Sequence, residues 1–222
     1  LDEMARSLYR EWFVHFRFPG HHGHRRVVSP IGDVPEGWAV VPFNNLATIT
    51  MGLSPKGSTY NDDSDGLPLV NGPVEFGARF TKRMKWTTAP TKTCLEGDLI
   101  VCVRGSTTGR FVKRDGVYCL GRGVCAIRGE FQSHVDQLFS HVLPTLLART
   151  GGSTFPSWTG PQLQNHAVLS PPRDLLVRFE GIAGPWAAAV AAYSRQVDNL
   201  RATRDLLLPR LLSGQLSVDD AA

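Results

Sequence analysis

The chain has 222 residues, 42% of them hydrophobic, enough to bury the core of one good-sized domain or of one domain with an appendage. Its 24 Lys and Arg against 20 Asp and Glu leave a net charge of +4, which permits a polyanionic partner without requiring one. No apolar run approaches the roughly 20 residues of a membrane span, and Asp2, Glu3, Arg6, Arg10 and Glu11 stand where a signal peptide would be apolar, so a cytoplasmic location and no membrane partner are expected.

Residues 4–16 carry apolar side chains at Met4, Leu8, Trp12 and Phe16, one face of a helix at four-residue spacing, with Tyr9 and Phe13 widening the stripe. Pro19 and Gly20 stop it. The following HHGHRR, with Pro30, Gly32, Pro35 and Gly37, reads as a linker over residues 19–34. His21, His22 and His24 have no carboxylate or cysteine beside them in sequence, which argues against a metal site.

The stretch 35–176 is mixed. GLSPKGST, residues 52–59, is one residue from a phosphate-binding P-loop, but Ser58 stands where the lysine belongs and Pro55 interrupts the loop. NDDSDG, residues 61–66, imitates the front of a calcium loop, yet Gly72 occupies the closing position, so it reads as a surface turn. In LPLVNGPVEF, residues 67–76, Asn71-Gly72 signals a hairpin, weakened by Pro73. RFTKRMKWTTAPTK, residues 79–92, holds five basic residues and no acid, with Phe80 and Trp86 among them. It is either a solvated loop or a nucleic-acid face.

The best strand is DLIVCV, residues 98–103, with 117–120 and 123–128 as expected partners. The turn RGSTTG, residues 104–109, follows it directly, and GGST, residues 151–154, follows a helix; both offer backbone N–H groups and hydroxyls suited to phosphate oxygens, as do ordinary turns. Gly121-x-Gly123-x-x-Ala126 resembles a dinucleotide fingerprint but leads into strand-like sequence where a helix is needed. Residues 134–149 place Leu138, Val142 and Leu146 on one helical face, with a bend expected at Pro144. Thr159, Pro161 and Gln162 predict a short capped helix through Asn165.

Cys94, Cys102, Cys119 and Cys125 lack C-x-x-C spacing and read as small apolar fillers, an argument against disulfides and zinc. Neither Ser106 nor Ser153 sits in a G-x-S-x-G elbow, and no catalytic set emerges, which favours a binding module. The fold class is α+β.

After Gly184, Pro185 suits a first helical turn, and Trp186, Val190, Tyr193, Val197 and Leu200 follow a 4-3-4-3 spacing, broken at Arg204 and resumed at Leu207 and Leu211. This is a coiled-coil seam, on the order of 40 Å long through Leu212. Only the helix of residues 4–16 could cover part of it from within the chain, so the seam asks for another long helix.

LRATRDLLLPRLLSGQL, residues 200–216, is similar to the end of the conserved spacer helix of type I restriction-modification specificity subunits, where NLRxTRDxLLPxLxSGxL recurs. LDEMARSLYREWFVHF, residues 1–16, resembles the end of the other spacer helix. The family's P-x-G-W is matched by Pro35, Gly37 and Trp38, and its G-D-x-L-x-x-x-R-G by Gly97, Asp98, Leu99, Arg104 and Gly105. Its G-S-T turn and PP pair are matched by Gly152, Ser153 and Thr154 and by Pro171-Pro172. Each motif is weak alone; their order over nearly the whole chain carries the resemblance.

The resemblance implies an N-terminal spacer segment (residues 1–18), a β-rich target-recognition domain (35–176), a C-terminal spacer helix (177–216) with the short N-terminal helix packing beside it, and a tail (217–222). It implies a non-catalytic subunit that reads one half of a bipartite double-stranded DNA target. Such a subunit docks methyltransferase subunits, which use S-adenosylmethionine, and a restriction and translocase subunit, which uses ATP and Mg, while itself binding no cofactor. DNA contacts are then expected from Lys56, Ser58, Thr59 and Tyr60, from Arg79, Lys82, Arg83 and Lys85, from Arg104, Ser106, Thr107, Thr108 and Arg110, and from Ser153 and Thr154. Leu8, Trp12 and Phe16 would face the seam, as a spacer-helix end parted from a first recognition domain or a partner, and a second copy of the chain would complete the assembly. Two rivals are a coiled-coil adaptor that binds no DNA and a nucleotide-using enzyme built on GLSPKGST.

Overall fold

The computed structural model describes residues 1–113, 115–150 and 156–215. Helix α1 (Asp2–Tyr9) carries Asp2 and Glu3 in its first turn and Arg6 in its last, the charge order that complements the helix dipole. A π-turn, Arg10–Val14, follows, with the His15 amide donating to Arg10 O at 2.8 Å. The wider turn brings Trp12 and Phe13 inward together, so the buried face is Ala5, Tyr9, Trp12 and Phe13. The expected four-residue stripe is therefore displaced: Met4 is 52% exposed, and Leu8 and Phe16 are half-buried at its margins.

The segment expected to be a linker contains an antiparallel hairpin of β1 (Arg26–Ser29) and β2 (Gly32–Pro35). Val28 is 89% exposed there and only the paired Val27 and Val34 turn inward, too short an apolar alternation to mark the strands in the sequence. Trp38 is buried where the hairpin ends, its ring centroid 5.9, 5.4 and 5.6 Å from those of Phe13, Phe16 and Phe18. The P-x-G-W motif thus ties the N-terminal segment to the domain.

In chain order the next strands are β3 (Ala39–Pro42), β4 (Ala47–Met51), β5 (Tyr60–Asn61), β6 (Leu67–Val70), β7 (Trp86–Thr87) and β8 (Thr93–Cys94). They are followed by β9 (Leu99–Cys102), β10 (Phe111–Lys113), β11 (Tyr118–Leu120) and β12 (Val124–Gly129), and β13 (Ala167–Ser170) comes later. One antiparallel sheet has the order β10-β9-β12-β4, a second the order β5-β7-β6-β11-β8, and β13 pairs with β3. β9 is buried throughout because it is central: Leu99 and Val101 face the core shared with the helices, while Ile100 and Cys102 face a second core with Val70, Tyr118 and Leu120.

Two pairing expectations need correction. Residues 123–128 do pair with β9, but β11 lies in the second sheet, beside β6 and β8. Asn71-Gly72 makes no hairpin: the Asn71 and Gly72 amides donate to Glu75 Oε2 at 3.3 and 3.1 Å, opening a 3-10 turn at Pro73. Proline at that position removes the donor a second strand would need. All four cysteines are buried thiols.

Helix α2 (Gln132–Ala148) buries Leu138 and Leu146 as the periodicity predicts and runs through Pro144. Short α3 (Gly160–Gln164) has the predicted capping box, with Gln162 N donating to Thr159 Oγ1 at 3.4 Å and Thr159 N donating to Gln162 Oε1 at 2.8 Å. Helix α4 (Arg173–Leu212) starts earlier than either residue 177 or Pro185, which lies inside it; its 40 residues make a rod of about 60 Å. Leu175, Leu176, Phe179 and Ala183 are buried against α1 and α2, and Trp186 and Val190 are half-covered. Beyond them the seam is bare, with Tyr193 62%, Val197 43% and Leu200 62% exposed. An 18-residue window of α4 reaches a mean hydropathy of 1.3, so by length and composition alone this described helix could cross a membrane, while its first turns pack against α1 and α2. The architecture is α+β, with a short N-terminal helix and a long C-terminal one side by side.

Candidate nucleic-acid interface

At the end of the sheets away from β9's N-terminus, an open depression is lined by Ser54, Pro55, Gly57, Tyr60, Asn71, Arg104, Arg122 and Gly123. Its floor is made by backbone segments that cross too closely for side chains. A Cβ on Gly121 would stand 1.6 Å from Asn71 Oδ1, and one on Gly123 would stand 2.0 Å from Asn71 O. The spacing read as a dinucleotide fingerprint therefore serves a backbone crossing.

GLSPKGST runs from this crossing along the rim. Ser54 Oγ accepts from the Arg122 amide at 3.0 Å and lies 3.4 Å from Asn71 Oδ1. Gly57–Thr59 forms a 3-10 turn that leads into β5, not into the α-helix a P-loop requires. Thr59 Oγ1 lies 2.7 Å from Lys56 O and 2.8 Å from Oγ1 of buried Thr87, so Thr59 pins the loop to β7. Lys56 and Ser58 are exposed, and Tyr60 is half-buried with its hydroxyl donating to Pro55 O at 3.3 Å. The NDDSDG turn closes on itself, Asn61 Nδ2 donating to Asp65 O at 3.0 Å and the Asp65 amide donating to Asn61 Oδ1 at 3.1 Å.

The turn after β9 has two kinds of residue. Thr108 is buried, its hydroxyl 2.8 Å from Gly105 O and 2.7 Å from Pro156 O, and Thr107 O accepts the Arg110 amide at 2.9 Å. Both hold the turn's shape. Burial pushes the neighbouring Cys102 thiol up to about 11, which keeps it protonated. Arg104, Ser106 and Arg110 are exposed and free to meet a ligand. Asp98, from the G-D motif, is structural: fully buried, it receives Arg128 Nε and Nη2 at 2.7 and 2.8 Å and the Leu95 amide at 2.9 Å.

The basic stretch divides. Arg79 pairs with Asp2 of α1 and holds that carboxyl below the usual carboxylate range. With Lys82 it lines a different depression, alongside Tyr193 and Val197 of α4. Arg83 is exposed beside the Tyr118 phenol, and Lys85 is exposed on the approach to β7. Ser153 and Thr154 lie outside the described residues. Of the residues expected from the sequence, Tyr60 and Arg104 line the depression, with Lys56 on the neighbouring loop, while Asn71 and Arg122 were missed. The two glycines flanking Arg122 were the available signal, since paired glycines mark close backbone approach as readily as phosphate binding. His24 packs against Phe18 at 5.1 Å between centroids, and among the described residues no group of metal-ligating side chains gathers.

No family model matches the chain. It is 31% identical over 151 residues to a specificity subunit named for the type I restriction enzyme MjaX of Methanocaldococcus jannaschii, an alignment covering 65% of this chain and 35% of that protein. It is 21% identical over 233 residues to the MjaIX specificity subunit of the same organism, covering 99% of this chain and 54% of the relative. The chain thus spans about a third to a half of these relatives. Among solved structures, a chain from work on complex assembly and conformational transition of the type I R-M system matches with a TM-score of 0.62 and 26% identity, over 93% of this chain and 50% of that one. The HsdS subunit of Thermoanaerobacter tengcongensis matches with a TM-score of 0.57 and 25% identity, over 97% and 51%. The S subunit of M. genitalium, 11% identical with a TM-score of 0.61 over 93% and 53%, shares the fold. The spacer-helix phrases, the P-x-G-W and G-D motifs in their structural places and these likenesses together make the chain similar to the type I restriction-modification specificity subunits over about a third to a half of their length.

Proposed function

We propose that the chain is a cytoplasmic, non-catalytic recognition subunit that reads one half of a bipartite double-stranded DNA sequence. The observation that carries this is the depression at Arg104 and Arg122: an open, rigidly floored site whose lining holds two arginines and no carboxylate. Lys56 and Arg110 on the neighbouring loops supply further exposed cations suited to phosphates, which fix register without reading sequence. The bare seam of α4 is the docking element, taking a second copy of the chain and methyltransferase and restriction subunits. S-adenosylmethionine, ATP and Mg would act in those partners; this chain's part is to place them on DNA.

Binding of the purified chain to a random-sequence duplex pool, measured over a range of salt, tests the reading. A slope of log affinity against log salt of about −0.9 for each phosphate contacted is expected. Duplex binding that is absent, or indifferent to salt, would overturn it.

A further inference from the structure

Arg104, two residues past β9, and Arg122, two residues before β12, line the same depression. β12 pairs with β9 so that Val124 faces Cys102, and the Val103 amide donates to Gly123 O at 2.8 Å. There the ladder ends: the Val124 amide donates to Gly121 O at 3.2 Å, turning the chain at Arg122. Like charges brought to one site repel. Here neither guanidinium enters an ion pair among the described residues, and no carboxylate lines the depression. The chain pairs buried charges, as at Asp98 with Arg128 and Asp136 with Lys113, whereas Arg104 and Arg122 stand exposed. An unrelieved cationic pair held at one spot fits an electron-rich ligand more readily than a structural role.

The backbone beneath the pair is fixed. The Arg122 amide is held by Ser54 Oγ at 3.0 Å, and its flanking glycines lock against Asn71. Arg104 is bridged to Ser157, and the Gly105 amide donates to Pro156 O at 3.0 Å. A guanidinium fork reads a guanine edge through two parallel N–H donors only if its base is held in place, whereas phosphate contact tolerates a loose cation.

We propose that Arg122 and Arg104 form a paired readout element, each donating two N–H bonds to the O6 and N7 acceptors of a guanine in the major groove. Ser54 and Asn71 act as positioning residues for Arg122. The inference rests on the DNA-reading role proposed above and adds the residue and the base chemistry.

The test selects preferred duplexes from a randomised pool with the full chain, unaltered and carrying Arg122→Ala, Arg122→Lys or Ser54→Ala. The unaltered chain should prefer a site with two G·C pairs close together. Arg122→Ala should erase the preference at one of them and weaken binding to the preferred duplex on the order of 5- to 150-fold, with random duplex affected far less. Arg122→Lys should keep the salt slope and still lose that position, because lysine has the charge without the fork. Ser54→Ala should blur the same position and leave the salt slope unchanged. Because the Arg122 side chain is exposed, its variants should melt with the unaltered protein, and melting of each confirms that the comparison is between folded chains. A uniform loss on all duplexes with a shallower salt slope makes Arg122 a phosphate contact and overturns the proposal, as does an unchanged motif. Failure of the unaltered chain to bind any duplex overturns the DNA-reading role itself.

Discussion

Glu180 of α4 closes the N-terminus of α2: its carboxylate accepts from the Ser133 amide at 3.1 Å, from Ser133 Oγ at 2.8 Å and from the His134 amide at 3.4 Å. The local sequence offers no substitute, since Phe131 stands at the cap position with no side-chain bond and the first turn of α2 has no acid. The long helix therefore supplies the anion that α2 lacks, and the α4 rod is fixed to the domain by a charge-assisted contact as well as by packing.

Replacing Glu180 with alanine leaves these amides unsatisfied. A loss of about 1–3 kcal/mol is expected, which for a chain of this size lowers Tm by roughly 2–4 °C per kcal/mol. Thermal melting followed by circular dichroism measures it, and a melting point within error of the unaltered protein would show that water replaces the carboxylate.

Asp136 of α2 is buried beside Lys113 of β10 and also accepts from Gln132 Nε2 at 2.8 Å. Burial raises its carboxyl pKa, and Lys113 opposes the rise. For an acid raised on folding, stability is fullest below the ordinary carboxylate range and is lost as pH climbs through the folded pKa. Lys113→Met removes the opposing charge, so its cost should be small near pH 4 and grow towards the lower end of about 3–5 kcal/mol near pH 7. Melting at several pH values reads the trend; a cost independent of pH would mean that the pair contributes by packing alone.

His134 sits among Tyr9, Phe13 and Phe179, with ring centroids 5.6, 4.8 and 6.3 Å away, and burial lowers its pKa to about 3. A histidine depressed on folding stabilises fully above its ordinary value of 6.5 and loses that contribution as pH falls towards 3. The slope should reach about 1.4 kcal/mol per pH unit inside this window. His134→Leu should flatten the acid limb of a stability profile whatever its cost at neutral pH. An acid limb of unchanged steepness would assign the effect to other groups.

Lys82, Arg83 and Lys85 are exposed, but Lys82 belongs to the depression beside α4, apart from Arg104. Changing all three to alanine should reduce the salt slope of DNA binding by about 0.9 for each phosphate that is no longer neutralised, while the preferred base sequence stays as it was. A slope that does not move places the DNA on the Arg104 side alone.

The features legible in the sequence were those whose cause is local. β9 announces itself because a central strand buried on both faces is continuously apolar, and Thr159 with Gln162 because a capping box is four residues long. What was hidden depends on partners distant in sequence or on a local departure from regularity. Whether β11 joins β9 or β6 is decided by packing between the sheets, and the gathering of Arg104 and Arg122 in one depression by the crossing of Asn71 beneath Gly121 and Gly123. The buried face of the N-terminal segment runs through Ala5, Tyr9 and Phe13, one position on from Met4, Leu8 and Trp12; Tyr9 and Phe13 were legible as apolar, but Ala5 is too small to mark the face. The Asn71-Gly72 signal failed because Glu75 offered both amides a nearer acceptor than a second strand could.

The exposed seam of α4 leads to the last prediction. Helix α1 lies against α4 from Phe179 towards Trp186, and the depression at its start reaches Ala191. Past that point Tyr193, Val197, Leu200, Leu207 and Leu211 keep the seam's spacing in contact with water. An apolar side chain of this size gains on the order of 1.5–3 kcal/mol when fully buried, so several together can drive helix association. Two copies packed antiparallel along α4 would bury both seams, place two identical recognition domains at opposite ends, and favour an interrupted palindrome as their DNA site. Sedimentation should show a dimer at micromolar concentration for the unaltered chain and a monomer when Val197 and Leu200 are both aspartate. Both residues are exposed, so the variant should melt as the monomer of the same fold. A monomeric unaltered chain would rule out self-pairing and leave the seam to another protein of the assembly.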